Sequence, residues 1–149
     1  MSGSAEALYH LDAARTEAQR ARMRALEADG VYVFCAPHHA DPILEREHWY
    51  VVDNDFPYAG TTAHVLIVPR RHVRSFDELP DEAGAELWAI RRELKARMAP
   101  VATATVERSG DMRYNGGSVE HLHVHFVALE EQPPSTVRFR VSARGADEG

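Results

Sequence analysis

The sequence predicts an α+β fold, a mostly antiparallel sheet with helices packed on one face. Three observations lead there. Helical and extended segments come in blocks, helix then strands then helix then strands, not in the strict alternation that builds a doubly wound parallel sheet. Leu87, Ile90, Leu94 and Met98 recur at helical spacing, which marks an amphipathic helix over about residues 81–98. His121 to Ala128 alternates cleanly with period two, the signature of a strand with two unlike faces.

Taken in order, residues from about Leu8 to Ala28 hold only helix-tolerant types, and Gly30 follows as a stop. The apolar stripe of this helical stretch is thin, so it packs by one edge or against a partner. Val31–Phe34 can open a strand, but the run from Ala36 to Pro42 turns the chain at once. His48–Val52 reads as a strand, 54–60 as a loop, and His64–Val68 as a second strand ended by Pro69. The amphipathic helix ends near Pro100. Val101–Glu107 is β-branched and reads as a strand. Turns follow at Ser109-Gly110-Asp111 and Asn115-Gly116-Gly117, then the strand His121–Ala128 and a shorter one over Val137–Val141. With no repeat and no linker, residues 1–30 form a helical extension and 31–149 a single domain.

A formal charge of -6 opposes non-specific binding to a nucleic acid polymer or an anionic membrane, yet leaves room for a small nucleotide. The lone cysteine, Cys35, excludes an intramolecular disulfide. No signal-peptide pattern and no long apolar run are present, so the expectation is a soluble cytoplasmic protein.

The chemistry concentrates in His121-Leu122-His123-Val124-His125-Phe126-Val127. Strand alternation puts the three imidazoles on one face, at intervals of roughly 6.6 Å, and Leu122, Val124, Phe126 and Ala128 on the other. Three readings compete: a polar exposed face, a metal face and a nucleophilic row. Three in-register histidines on one strand converge poorly on one ion. A neutral imidazole is a nucleophile, and its neighbour can move protons near pH 7. The turn Asn115-Gly116-Gly117-Ser118 favours the nucleophilic reading, because its short residues can bring backbone N–H groups close to a phosphate. An ordinary hairpin turn would look similar.

With those residues in place, the chain resembles the histidine-triad superfamily, whose signature is His-x-His-x-His with apolar residues between and after. His64-Val65-Leu66-Ile67-Val68-Pro69-Arg70-Arg71-His72-Val73 looks like that family's earlier strand and turn, and Phe76-Asp77-Glu78-Leu79 extends the match towards the following helix. The resemblance implies that His123 attacks an α-phosphate to give a nucleotidyl-histidine intermediate. It also implies that His125 meets the phosphate or leaving group, and that Ser118 orients or protonates the leaving group. The loop before His64 would hold the nucleoside, with Phe56 against the base and Asn54 or Asp53 on the ribose. Asn54 fits a polar-x-x-Pro pattern with Pro57, while an Asx-rich turn remains an alternative. Asn115 and Gly117 would line the phosphate site. Where many relatives carry Gly-Gln-Ser, this chain has Gly116-Gly117-Ser118 and lacks the glutamine side chain.

The same resemblance implies a nucleotide substrate, a homodimer and no organic cofactor. It further implies a structural zinc on Cys35, His38, His72 and His121, by analogy with relatives near the nucleotide-sugar transferase branch. His39 is as reachable as His38, and all four residues also read as ordinary turn or core residues. Two function classes stand at this point. One is a nucleotidyl transferase or hydrolase; the other is a nucleotide-binding or scaffold protein with little turnover.

Overall fold

The computed structural model describes residues 16–28, 41–117, 119–129, 137–139 and 141. In chain order these form α1 (Glu17–Ala28), β1 (Leu44–Glu45), β2 (Trp49–Asp53), β3 (Thr61–Pro69), a 3-10 turn (Phe76–Glu78), α2 (Asp81–Met98), β4 (Ala102–Glu107), α3 (Met112–Asn115) and β5 (Val124–Leu129). The strands make one five-stranded sheet in the order β1-β2-β3-β5-β4, and every neighbouring pair is antiparallel.

The α+β class holds, and the reason is visible in α2. Ala83, Ile90 and Leu94 are buried along one stripe, with Leu87 and Met98 beside them. That stripe covers the sheet face built by Leu44, Trp49, Val51, Val65, Ile67, Leu122, Val124 and Phe126. Acidic Asp81 and Glu82 open the helix and Lys95 and Arg97 close it, matching the helix dipole. The helix stops at Ala99, in the left-handed region at φ 45°, with Pro100 next. Polar contacts lock α2 across the β1–β2 hairpin. Trp49 Nε1 donates to Ala83 O at 2.7 Å, and Glu86 accepts from the backbone N–H groups of Glu47 and His48 at 3.0 and 2.7 Å.

The opposite sheet face carries a smaller cluster of Tyr50, Val52, Leu66 and Val68, with Val119 packed on it. The same face carries His64 and His125, with Val127 and Val106 beside them in the register. α1 reaches the β2–β3 loop through an Arg22–Asp55 ion pair.

Several boundaries differ from expectation. The last strand begins at Val124, not His121, because Leu122 N–H bonds to Val73 O at 2.7 Å and the ladder with β3 starts only at Val124. Residues 137–139 and 141 form no strand. The stretch between the two expected turns coils into α3, a helix too short to leave a periodic trace. Residues 1–15 and 29–40 lie outside the described residues, and with them the expected start of the first helix and the Val31–Phe34 segment. Among the described residues no helix is long and apolar enough to cross a membrane.

Candidate active site

With Leu122, Val124 and Phe126 committed to the core under α2, alternation turns His121, His123 and His125 to the other side. All three are buried, at 1%, 7% and 6% exposure. Their surroundings give each ring a different role.

His123 Nδ1 lies 2.7 Å from the carbonyl oxygen of His121. A carbonyl only accepts, so the proton of the neutral ring sits on Nδ1 and Nε2 is the unprotonated nitrogen. Burial pushes the His123 pKa down to about 4, helped by the Arg108 charge and opposed by the His121 carbonyl. At neutral pH this is an uncharged imidazole with one nitrogen held as a donor and the other unprotonated.

His121 is fixed in the opposite sense. Its Nε2 donates to Pro69 O at 2.9 Å, so Nδ1 is bare in the neutral ring and receives the Nδ1–H of His72 at 3.1 Å. Burial brings its pKa to about 4 as well, against the pull of the Pro69 bond. The two rings meet edge to face at 4.9 Å. His121 therefore meets His123 through its backbone carbonyl, and its ring faces His72.

His125 stands between two groups that the sequence reading did not nominate. Its Nδ1 lies 2.9 Å from Nε2 of His64, and its Nε2 lies 3.2 Å from Nη1 of Arg108. Tyr58 stacks on it at 5.7 Å and Phe139 meets it edge-on at 5.6 Å. The ring of His125 is 5.0 Å from that of His123. His64 carried one legible signal: it occupies the strand face of Leu66 and Val68, where an apolar residue would be expected. Arg108 carried none, since an arginine after a β-branched strand reads as solvated until the fold buries it to 8% exposure.

The turn before the histidines is shaped from within. Asn115 Oδ1 accepts from Gly117 N at 3.0 Å, its Nδ2 donates to Ser109 O at 3.1 Å, and its carbonyl receives Arg108 Nε at 3.0 Å. A Cβ at Gly117 would collide with Met112 Sδ, and Met112 is itself buried. The glycine at this position thus answers a packing demand: Met112 fills the space a longer residue would need. Gly116 closes α3 at φ 81°.

In the β2–β3 loop, Asn54 makes an Asx turn, its Oδ1 accepting from Phe56 N at 2.9 Å, while its Nδ2 comes within 3.2 Å of His64 Nε2. Phe56 is half-buried beside it; Asp53 ends β2 with its side chain exposed. The fold thus connects Asn54, His64, His125 and Arg108 in one chain of contacts, and separately brings His72 to His121. Ser118, Cys35, His38 and His39 lie outside the described residues. Among the described residues no cluster of three or more metal-ligating side chains occurs.

Comparison with known proteins bears on the family and the fold. The HIT domain family model matches residues 37–132. An uncharacterized HIT-like protein of Mycobacterium tuberculosis is 33% identical over 69 residues, covering 45% of this chain and 48% of its own length. The chain thus spans about half the length of the curated relatives it matches. Among solved structures, a HIT family hydrolase from Clostridium thermocellum superposes with TM-score 0.52 at 17% identity, over 66% of this chain and 87% of its own. A Zn-bound histidine triad family protein from Mycobacterium smegmatis does so with TM-score 0.51 at 20% identity, over 68% and 72%. At these identities the structural likeness speaks for the fold.

Proposed function

The chain belongs to the HIT domain family, and from that premise we propose that it is an enzyme acting at the α-phosphate of a nucleoside phosphate derivative, with His123 as nucleophile. The observation that carries this reading is the bond from His123 Nδ1 to the His121 carbonyl, which holds the proton of an uncharged, buried ring on Nδ1 and makes Nε2 the unprotonated, nucleophilic nitrogen. A side chain kept for packing alone needs no such tautomer lock. The description of a solved structural relative as a hydrolase points the same way.

In the proposed reaction, Nε2 of His123 attacks phosphorus. A P–N bond forms and the bond to the leaving group breaks, the leaving atom departing with both electrons. The ring then carries a positive charge shared with Nδ1, which its hydrogen bond to the His121 carbonyl stabilises. Water or an acceptor phosphate completes the transfer by attacking the nucleotidyl-histidine and releasing Nε2. His125 binds phosphate oxygen, Ser118 assists the leaving group, Phe56 contacts the base, and Asn54 is favoured over Asp53 for the ribose. Asn54 is turned towards the histidine face, whereas Asp53 points to solvent. Asn115 and Gly117 contribute by shaping the loop against which the phosphate lies. The test is incubation with dinucleoside polyphosphates, nucleotide-sugars and nucleoside phosphoramidates, with chromatographic detection of nucleoside monophosphate. Micromolar nucleotide binding with no release from any of them would mean a binding module instead.

The cofactor proposal is one structural zinc on Cys35, His38, His72 and His121. Two Zn–N bonds of about 2.0 Å at a tetrahedral angle set the nitrogens roughly 3.3 Å apart, and the two Nδ1 atoms of His72 and His121 stand 3.1 Å apart. This half of the site fits. Zinc here would join the segment around Cys35 to the histidine run and contribute to stability. Protein purified without a tag or added metal is expected to hold close to one zinc per chain and to melt lower after chelation. Substoichiometric zinc with unchanged melting would exclude it.

A homodimer is proposed through β4, an edge of the sheet, and the exposed Trp88 of α2. Trp88 lines a groove of about 270 Å³ with Thr103, Thr105 and Phe126. Light scattering is expected to give twice the 16.7 kDa chain mass, with Trp88→Glu shifting the protein to monomer. A single-chain mass for the unaltered protein would remove the dimer.

A further inference from the structure

Three consecutive residues at the entry to the histidine run are each fastened to the end of β3 or the loop after it. Glu120 pairs with Arg74, its Oε2 lying 3.3 Å from Arg74 Nε. His121 Nε2 donates to Pro69 O at 2.9 Å, and Leu122 N–H donates to Val73 O at 2.7 Å. The last of these bonds bears directly on His123. A trans peptide points its N–H and its C=O in opposite directions within one rigid plane. The plane between His121 and Leu122 therefore directs its N–H to Val73 and presents its C=O to His123 Nδ1, at 2.7 Å. Turning that plane would take the acceptor away from the nucleophile's proton.

The β3–β5 ladder begins only at Val124, so its register does not set this plane. The loop after β3 does, and that loop is fixed at Arg74. Arg74 N–H donates to Glu78 Oε2 at 2.9 Å, its carbonyl accepts from Gly110 N–H at 3.0 Å, and its side chain meets Glu120. This ion pair differs from those on the surface. The Glu120 side chain is 6% exposed, so solvent screens the attraction little, and a carboxylate at that depth is costly to hold away from a cation. We propose that Arg74 and Glu120 are positioning residues for the nucleophile: their ion pair holds the 120–122 backbone against the loop, so that the His121 carbonyl keeps the His123 proton on Nδ1. Both act through the backbone, and neither is a reacting group. Without the pair, Glu120 turns towards water and the plane after it loses an anchor. His123 then moves towards the Nε2–H form, which puts its proton on the attacking atom.

The inference rests on the nucleophilic reading of His123, and ring-nitrogen NMR separates the two. In protein with isotope-labelled histidine at pH 7.5, long-range proton–nitrogen spectra tell a protonated ring nitrogen from a bare one, and His123→Asn identifies the His123 signals. The parent is expected to carry the proton on Nδ1. Arg74→Ala and Glu120→Ala are each expected to shift it wholly or partly to Nε2, and to lower kcat about tenfold or more with KM within about threefold. Arg74→Lys and Glu120→Gln are expected to shift it less, in the same direction, and serve where an Ala variant fails to fold. A parent-like Nδ1–H in the folded variants would overturn the inference, whatever their turnover. Equal disturbance of all the histidine rings would overturn it too, as general loosening. A parent with its proton on Nε2 would sink both this inference and the nucleophile reading. An Arg74-dependent tautomer in a protein that releases no nucleotide from any substrate would support the inference and overturn only the turnover reading.

Discussion

Replacing His123 with Asn is expected to lower kcat on the best substrate by at least about 10³-fold, with the fold and most nucleotide affinity retained. Asparagine is the better replacement, because its amide can still donate to the His121 carbonyl that His123 Nδ1 meets at 2.7 Å. Alanine would leave that buried carbonyl unpaired, at a cost of about 1–3 kcal/mol. The apolar face opposite, Leu122 and Val124 against α2, is untouched by either change. A purified Asn variant keeping more than about a tenth of the parent kcat would be too active for a protein that had lost its nucleophile.

Acid should unfold the metal-free protein early, and the buried histidines give the sign. His121 and His123 both titrate at about 4 in the folded chain, against the ordinary histidine value of 6.5. The unfolded chain therefore takes up protons as pH falls through 6.5, while the folded chain stays neutral at both rings until about 4. Stability is complete above that upper value and drains away between the two. At pH 5 each ring accounts for a loss of about 2 kcal/mol, a large share of a domain's usual 5–15 kcal/mol. His72 adds in the same direction, since burial lowers its pKa too. Denaturant titrations at pH 7.5, 6 and 5 are expected to show midpoints falling at each step, and His123→Asn should flatten the fall. Constant midpoints across that range would mean that the histidines are hydrated in the native state.

The sequence was most readable where one local period decided the outcome. The stripe Leu87, Ile90, Leu94 and Met98 defined α2, and Pro69 ended β3 where expected. The histidine faces were also correct in sense, though the ladder opens three residues later than the alternation suggested, because Leu122 bonds to the loop at Val73. What escaped notice depends on distant contacts. Arg108 becomes a buried site residue only when β4 pairs with β5, which sets Val106 opposite His125. His64 reaches His125 across the β3–β5 ladder, 61 positions along the chain. The glutamine that many relatives carry at position 117 would have its Cβ against Met112, a contact invisible in the sequence. No local pattern carries any of these.

The central claim is a covalent bond between His123 and the substrate's α-phosphate, and trapping it is the most direct measurement. Brief incubation with a dinucleoside polyphosphate, followed by quenching at alkaline pH and peptide mass spectrometry, would locate the adduct. The account predicts a mass gain of one nucleoside monophosphate on the peptide spanning His121 to His125, placed on His123 by fragmentation, released by acid and absent from His123→Asn. Rapid turnover with no such adduct at any quench time, or an adduct on His64 or His125 instead, would contradict it.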